Sequence, residues 1–372
     1  MSRRPHLIVS LGDPCGIGAE LLLTSLPALQ AWADVTVVGS KAGADLLEGL
    51  PGAAVAWRWL ASKPGGTSSP SCRAHTLQVL ALGEALHVLG EALWLDPTPE
   101  IGTDQLQLGQ GSAASGRATV EAVRVAALMT MGGAADALVT LPMAKAAAHL
   151  AGYDIPGHTE FLRDLSGSAN TRMAFVSPQL NVVLHTVHQS LRSVVETITA
   201  EGVAETLIFA TDRFIQLTGK SQLRVALCAL NPHAGEQGAF GGEEVLLEAA
   251  LARAEAAFLP LTSEASKAGP APLFFGPLPA DSVFQRASKG EFDLVVALYH
   301  DQGLIPVKLL EPTRAVNLTL GLPFIRTSPD HGTAFDKAGK WIADSRNFLE
   351  AAALAVRLAG RSGLDLPPPA GP

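Results

Sequence analysis

Residues 6–39 read HLIVSLGDPCGIGAELLLTSLPALQAWADVTVVG, and this stretch decides the fold. HLIVSL (6–11) is an apolar run of strand length. It runs into GDPCGIG (12–18), whose glycines and proline make a turn. ELLLTSLPALQAW (20–32) follows as a helix and VTVVG (35–39) as a second strand. Strand, glycine turn, helix, strand is the opening of a βαβ unit. The turn lacks the GxGxxG spacing, so it is not in itself a dinucleotide fingerprint.

Outward from there the alternation continues. Residues 116–132 form an alanine-rich helix and 137–141 a strand after it. Short apolar runs at 173–176, 182–187, 225–230 and 294–298 have the look of buried strands, with helical stretches such as 243–258 between them. Residues 315–318 read as a strand, then comes a turn-rich segment, then a helix over 346–358. The Pro-, Gly- and Ser-rich residues 61–71 read as a surface loop, and the tail LDLPPPAGP (364–372) cannot be helical. There is no internal repeat. The expectation is an α/β protein with largely parallel sheets. At 372 residues it is more than one compact core usually holds, so two domains are expected.

Composition narrows the function. Hydrophobic residues at 48% against 17% charged exclude a disordered chain. Lys and Arg number 27 against 35 Asp and Glu, a net charge of −8, and no basic stripe for a nucleic-acid backbone is visible. A local cationic pocket for one small anion is compatible with that balance. Cys15, Cys72 and Cys228 are an odd, scattered set without a CxxC pair, which points to a reducing cytoplasm rather than a disulfide framework. The apolar run near the start is too short for a signal peptide. No stretch approaches the ~18 apolar residues of a membrane span.

Three histidines follow apolar strands: NVVLHTVH ends at His188, RVALCALNPH at His233 and DLVVALYH at His300. Open α/β sheets bind ligands beyond the carboxyl ends of their strands. Three imidazoles arriving there would make a metal site with open positions for substrate. One strand-end histidine alone is more often a hydrogen-bonded loop residue; the coincidence of three is what raises the metal reading. His185, three residues before His188 in the same run, faces the other way and is read as structural. Lys308, Asn317 and Arg326 each interrupt apolar sequence, where a charge or amide is costly unless paired. They read either as salt bridges at a sheet edge or as a pocket for phosphate or carboxylate. His158–Thr159 adds an imidazole and a hydroxyl in a glycine-bounded turn.

Several blocks carry a resemblance: GDPCGIGAE (12–20), PGHTEFL (156–162), HAGEQGAFGGEE (233–244), GPLPADSVF (276–284), YHDQGLIPVK (299–308) and RAVNLTLGLPFIRTSPDHGTAFDKAG (314–339). They resemble, in order and over nearly the whole chain, the 4-hydroxythreonine-4-phosphate dehydrogenase family of pyridoxal phosphate biosynthesis. The resemblance implies two α/β/α domains with a cleft between them, similar to isocitrate and isopropylmalate dehydrogenases. Residues 1–140 plus 310–372 would form the cofactor-side domain, and 141–309 the metal, substrate and dimerisation domain. It implies His188, His233 and His300 as ligands of one divalent metal (zinc, magnesium, manganese or cobalt). It implies His158, Thr159, Lys308, Asn317 and Arg326 as substrate contacts, and Gly332 and Thr333 beside NAD or NADP. Lys308 and Asp301 are the candidates for moving the proton.

The implied reaction is oxidation of 4-phosphohydroxythreonine to a 3-oxo acid that decarboxylates to 3-amino-2-oxopropyl phosphate, in a cytoplasmic homodimer with its site at the interface. A related dehydrogenase acting on a cis-dihydrodiol dicarboxylate or a sugar-acid phosphate is the alternative. A non-enzymatic metal- or ligand-binding protein is disfavoured, because metal, anion and cofactor segments occur together. Two positions depart from the family pattern: Leu141 replaces a glycine in LPMAK, where Lys145 is kept, and Ala19 replaces a proline. Leu141 would either narrow the pocket or pack beneath it.

Overall fold

The computed structural model describes residues 4–48, 50, 85–89, 92–220, 222–259 and 271–360, of 85–89 the backbone alone. The 61–71 segment, Cys72 and the 364–372 tail lie outside the described residues. The chain runs through β1 (His6–Ser10), α1 (Gly18–Trp32), β2 (Asp34–Val38), α2 (Lys41–Asp45), β3 (Ala85–Leu89), β4 (Ala92–Asp96), α3 (Ala113–Met131), β5 (Ala137–Thr140), α4 (Lys145–Leu150) and α5 (His158–Ser166). It continues through β6 (Arg172–Val176), β7 (Asn181–Leu184), α6 (Leu191–Thr197), α7 (Ala200–Thr218), β8 (Arg224–Cys228), α8 (Glu244–Phe258), β9 (Leu273–Leu278), α9 (Ala280–Ser288), β10 (Leu294–Ala297) and α10 (His300–Leu310). β11 (Val316–Leu320), β12 (Ile325–Pro329) and α11 (Arg346–Gly360) follow. The α/β class is as the sequence indicated.

Two compact units form: Met1–Asn170 with Leu322–Pro372, and Thr171–Gly321. The boundaries differ from those expected. Residues 141–170, assigned above to the second domain, belong to the first unit because α4 and α5 pack on α3. Val120, Ala148 and Ile155 share one apolar cluster there, and the Tyr153 hydroxyl donates to Glu121 Oε1 at 3.0 Å. Residues 310–321 belong to the second unit because β11 pairs antiparallel with β6, Asn317 opposite Phe175.

In the first unit the strand order is β3-β4-β2-β1-β5-β12. β1 lies parallel to β2 and β5, and β12 parallel to β5. All five residues of β1 are buried. Alternate side chains point to opposite faces, so both faces are covered, as in parallel sheets built from crossover helices. In the second unit the order is β11-β6-β7-β10-β8-β9. Here β7, β10, β8 and β9 are parallel, while β11, β6 and β7 run antiparallel. The departure from parallel pairing has a local cause. Only a short turn separates β6 from β7, too little for a crossover. The Ser177 hydroxyl closes that turn, donating to the Leu180 carbonyl at 2.8 Å while accepting the Leu180 N–H at 3.0 Å. Among the described residues no helix is long and apolar enough to cross a membrane.

Leu141 follows β5 directly, and its N–H donates to the Ser10 carbonyl at 3.0 Å. It is fully buried. A Cβ on Gly12 (φ +73°) would collide with the Leu141 and Pro142 backbone, and one on Gly18 would come within 3.7 Å of Leu141 Cβ. The leucine therefore packs beneath the 12–18 turn. Its truncation removes buried methyl groups from under that turn. Leu141→Ala should cost about 2–5 kcal/mol in urea or guanidinium unfolding; a loss below about 1 kcal/mol would show that the site collapses without consequence.

Candidate active site

Arg326, the second residue of β12, is only 2% exposed. Its Nε and Nη2 donate to Thr140 Oγ1 at 3.1 and 2.6 Å. Burial pulls its pKa down to about 10, and the charge of Glu160 opposes that shift. His158 begins α5, preceded by an extended Gly157 that supplies no side-chain cap. Its Nε2 is buried and has no hydrogen-bond partner among the described residues. Burial, then the positive charge of Arg326, hold the His158 pKa down to about 3, with Glu160 opposing and Lys145 adding to the depression. The imidazole is therefore neutral at physiological pH. The structure thus brings His158 and Arg326 together, with Thr159 next on the first turn of α5. It adds Lys145 and Glu160, which the sequence reading did not assign; the retained lysine of LPMAK and the glutamate of PGHTEFL were the available signals.

The expected cofactor loop lies against the 12–18 turn. Ile17 N–H donates to the Thr333 carbonyl at 3.1 Å. The Glu20 carboxylate, 1% exposed, accepts from the backbone N–H groups of Gly339 and Trp341 and so ties the loop to α1. Burial raises the Glu20 pKa against those two donors. Gly332 is exposed, and a Cβ there would meet nothing within 4 Å. That open backbone suits the approach of a dinucleotide.

In the second unit His188 and His300 lie four and three residues beyond the ends of β7 and β10, which are neighbouring parallel strands. Their ring centres are 5.9 Å apart, tilted by 39°. Both line an open pocket of about 490 Å³, together with Asp301, Tyr299 and Leu191. His300 Nδ1 is 2.7 Å from Asp301 Oδ1, which assigns its proton to that side and leaves the Nε2 lone pair available. His233 is placed differently. It stands five residues past β8, in a turn where residues 233–237 all have positive φ, and it is exposed with its ring 6.2 Å from Phe240. Among the described residues no group of three His, Cys, Asp or Glu side chains is close enough to hold a metal ion. The structure therefore brings together two of the three expected ligands. His185 bonds Thr206 Oγ1 at 2.8 Å, and burial first, then Arg172, lower its pKa to about 4. Lys308 is exposed on α10, and Asn317 on β11 keeps a buried Oδ1 without a hydrogen-bond partner among the described residues.

The first unit thus places a neutral imidazole near a guanidinium, and the second sets two more imidazoles past adjacent parallel strands. Comparison with known families adds to this. The family described as Pyridoxal phosphate biosynthetic protein PdxA matches residues 69–355, and the chain belongs to that family. A 4-hydroxythreonine-4-phosphate dehydrogenase of Synechococcus sp. is 39% identical over 373 residues, covering 95% of each chain. A D-threonate 4-phosphate dehydrogenase of Cupriavidus necator is 36% identical over 360 residues, covering 96% of this chain and 98% of the relative. Among solved structures, 4-hydroxythreonine-4-phosphate dehydrogenase from Klebsiella pneumoniae superposes with a TM-score of 0.72 at 32% identity, over 95% of this chain and 99% of that one.

One buried carboxyl in the 12–18 turn has consequences for stability. Asp13 is 1% exposed, and burial raises its pKa from 3.8 to about 6, against the Cys15 N–H at 2.9 Å and the Ser115 hydroxyl at 3.3 Å. The folded state then holds this proton more tightly than the unfolded chain. Its contribution to stability is greatest below pH about 4, falls as pH rises through about 6, and stays at the lower level above that. The span is on the order of 3 kcal/mol. Asp13→Asn should abolish that part of the pH dependence, gaining stability relative to wild type at pH 8 compared with pH 4. Parallel stability curves for the two proteins over pH 4–8 would contradict the assignment.

Proposed function

We propose that the chain is a divalent-metal-assisted, NAD(P)-dependent dehydrogenase. It oxidises 4-phosphohydroxythreonine at its secondary alcohol to a 3-oxo acid, which loses CO₂ to give 3-amino-2-oxopropyl phosphate. The observation that carries this is membership of the PdxA family together with near-full-length likeness to dehydrogenases of that name. The proposed substrate contacts are His158, Thr159, Lys308, Asn317 and Arg326. Gly332 and Thr333 offer the backbone for the dinucleotide.

The donor chemistry at His188 and His300 fits a metal. Two imidazoles each about 2.1 Å from one metal bring their ring centres to between about 5 and 6 Å, and the observed separation is 5.9 Å. Asp301 orients His300 through Nδ1. The third ligand, His233, would come from a second copy of the chain in a homodimer. When bound, the metal would supply Lewis-acid polarisation of the reacting oxygen and the nicotinamide would take the hydride. The chain's own groups bind and orient the substrate's charged ends, so that the carbinol hydrogen is presented in one direction. Asp301 and Lys308 are the proposed acceptors of the hydroxyl proton. Decarboxylation then breaks the bond to the carboxylate carbon, and its electron pair is taken up by the new carbonyl before protonation.

D-threonate 4-phosphate is the second reading, favoured by the Cupriavidus relative. It differs in carrying a hydroxyl where phosphohydroxythreonine has its ammonium. Absorbance of reduced cofactor should rise with phosphohydroxythreonine, and kcat/KM compared across both phosphates and a cis-dihydrodiol dicarboxylate ranks them. Preference for the dihydrodiol would overturn the substrate.

Metal sharing has its own test. His188→Ala and His233→Ala proteins, each inactive, should recover about a quarter of wild-type activity when mixed and allowed to exchange subunits, since half the dimers then hold one intact site. His188→Ala mixed with His300→Ala should recover none, because those two rings belong to one chain. Recovery in the second mixture, or failure in the first with exchange verified, contradicts the shared site.

A further inference from the structure

Lys145 opens α4 and has no role in the chemistry above. Its side chain reaches the start of α5. A Cβ built on Gly157 would lie 3.7 Å from Lys145 Cε, 3.9 Å from Lys145 Nζ and 3.1 Å from Glu160 Oε2. Residue 157 is glycine at the point where the ammonium and the carboxylate converge on the first turn of α5. The neighbouring charges acting on His158 are Arg326, Glu160 and Lys145. Two cations and one carboxylate around a neutral ring leave this corner of the first unit with one net positive charge. Remove Lys145 and the Arg326–Glu160 remainder is neutral.

Donors gather in the same place. The first amides of a helix have no acceptor within it, and the first intrahelical bond of α5 is the Phe161 N–H to the Gly157 carbonyl at 3.1 Å. Gly157 contributes no side-chain cap. The buried His158 Nε2 has no partner among the described residues, an arrangement that costs free energy unless a ligand completes it. A carboxylate would be satisfied by a guanidinium and one further donor. A phosphate monoester brings three terminal oxygens and close to two negative charges, and calls for more donors and more positive charge than Arg326 offset by Glu160 provides.

We propose that Lys145 closes a phosphate subsite with His158, Thr159, Arg326 and the first turn of α5, and selects a phosphate monoester over a carboxylate. This rests on the substrate reading above only in assigning the phosphate to that substrate. Binding itself is testable without turnover. Inorganic phosphate, methyl phosphate and acetate are the probes, titrated into wild type and Lys145→Met by calorimetry and by thermal shift. Lys145 is exposed and the methionine keeps its aliphatic stem, so the variant should fold. Wild type should bind both phosphates, and Lys145→Met should weaken them about tenfold or more, with acetate changed much less. Lys145→Arg should recover most of the loss.

Equal phosphate affinity in wild type and Lys145→Met overturns the proposal. So does an equal loss for acetate and phosphate, or a wild type that binds no phosphate. A protein that binds phosphate through Lys145 but reduces no NAD(P) with phosphohydroxythreonine would leave this subsite standing and remove the assigned reaction.

Discussion

A guanidinium inside a protein needs lone pairs or an opposite charge, because burying it bare costs several kcal/mol. Arg326 imposes that requirement on the first unit. Pairing of β12 with β5 sets it opposite Leu138, and Thr140, two residues on, shares that face of the sheet. The threonine hydroxyl therefore lies where the guanidinium can reach it. Glu160 supplies a compensating charge from the first turn of α5. The same turn carries His158 to the cation, and burial together with the cation keeps the imidazole neutral. The buried charge thus adds to burial in keeping its neighbour neutral, and His158 Nε2 is left without a hydrogen-bond partner among the described residues.

The second unit concentrates left-handed backbone in one turn. His233, Ala234, Glu236 and Gln237 take positive φ without being glycine, at about 1–2 kcal/mol each. Such strain persists only where the surroundings enforce it. Glu244 does so: its Oε1 accepts the Asn231 N–H at 2.8 Å and its Oε2 the Asn231 side-chain amide at 2.9 Å. The turn holds His233 out to solvent, while His188 and His300 face one another past β7 and β10. A histidine presented outward on a stiffened turn is suited to a partner chain.

Legibility followed the source of each element's stability. β1 and β10 are continuous apolar runs buried on both faces, and they read plainly. β12, with the sequence IRTSP, read as turn-rich because its polar side chains find partners only in the folded unit: Arg326 at Thr140, and the Thr327 hydroxyl at the Ala351 carbonyl, 2.8 Å away. β9, LFFGPL, was missed for a different reason; it is an edge strand and largely exposed, so no buried run announces it. The unit boundaries were displaced because helix packing on α3 and the β11–β6 pairing are contacts between distant segments.

The sequence by itself determined the α/β class and the family, and it singled out the residues proposed for chemical roles, because periodicity, turn residues and ordered motif blocks are local properties of the chain. Only the tertiary structure decided which of them meet. It set His188 beside His300 and His233 apart, brought Lys145 to His158, buried Leu141 beneath the glycine turn, and raised Asp13 while lowering His158. Those outcomes depend on distances across the fold and on how much water each group loses, and neither quantity exists until the chain has packed.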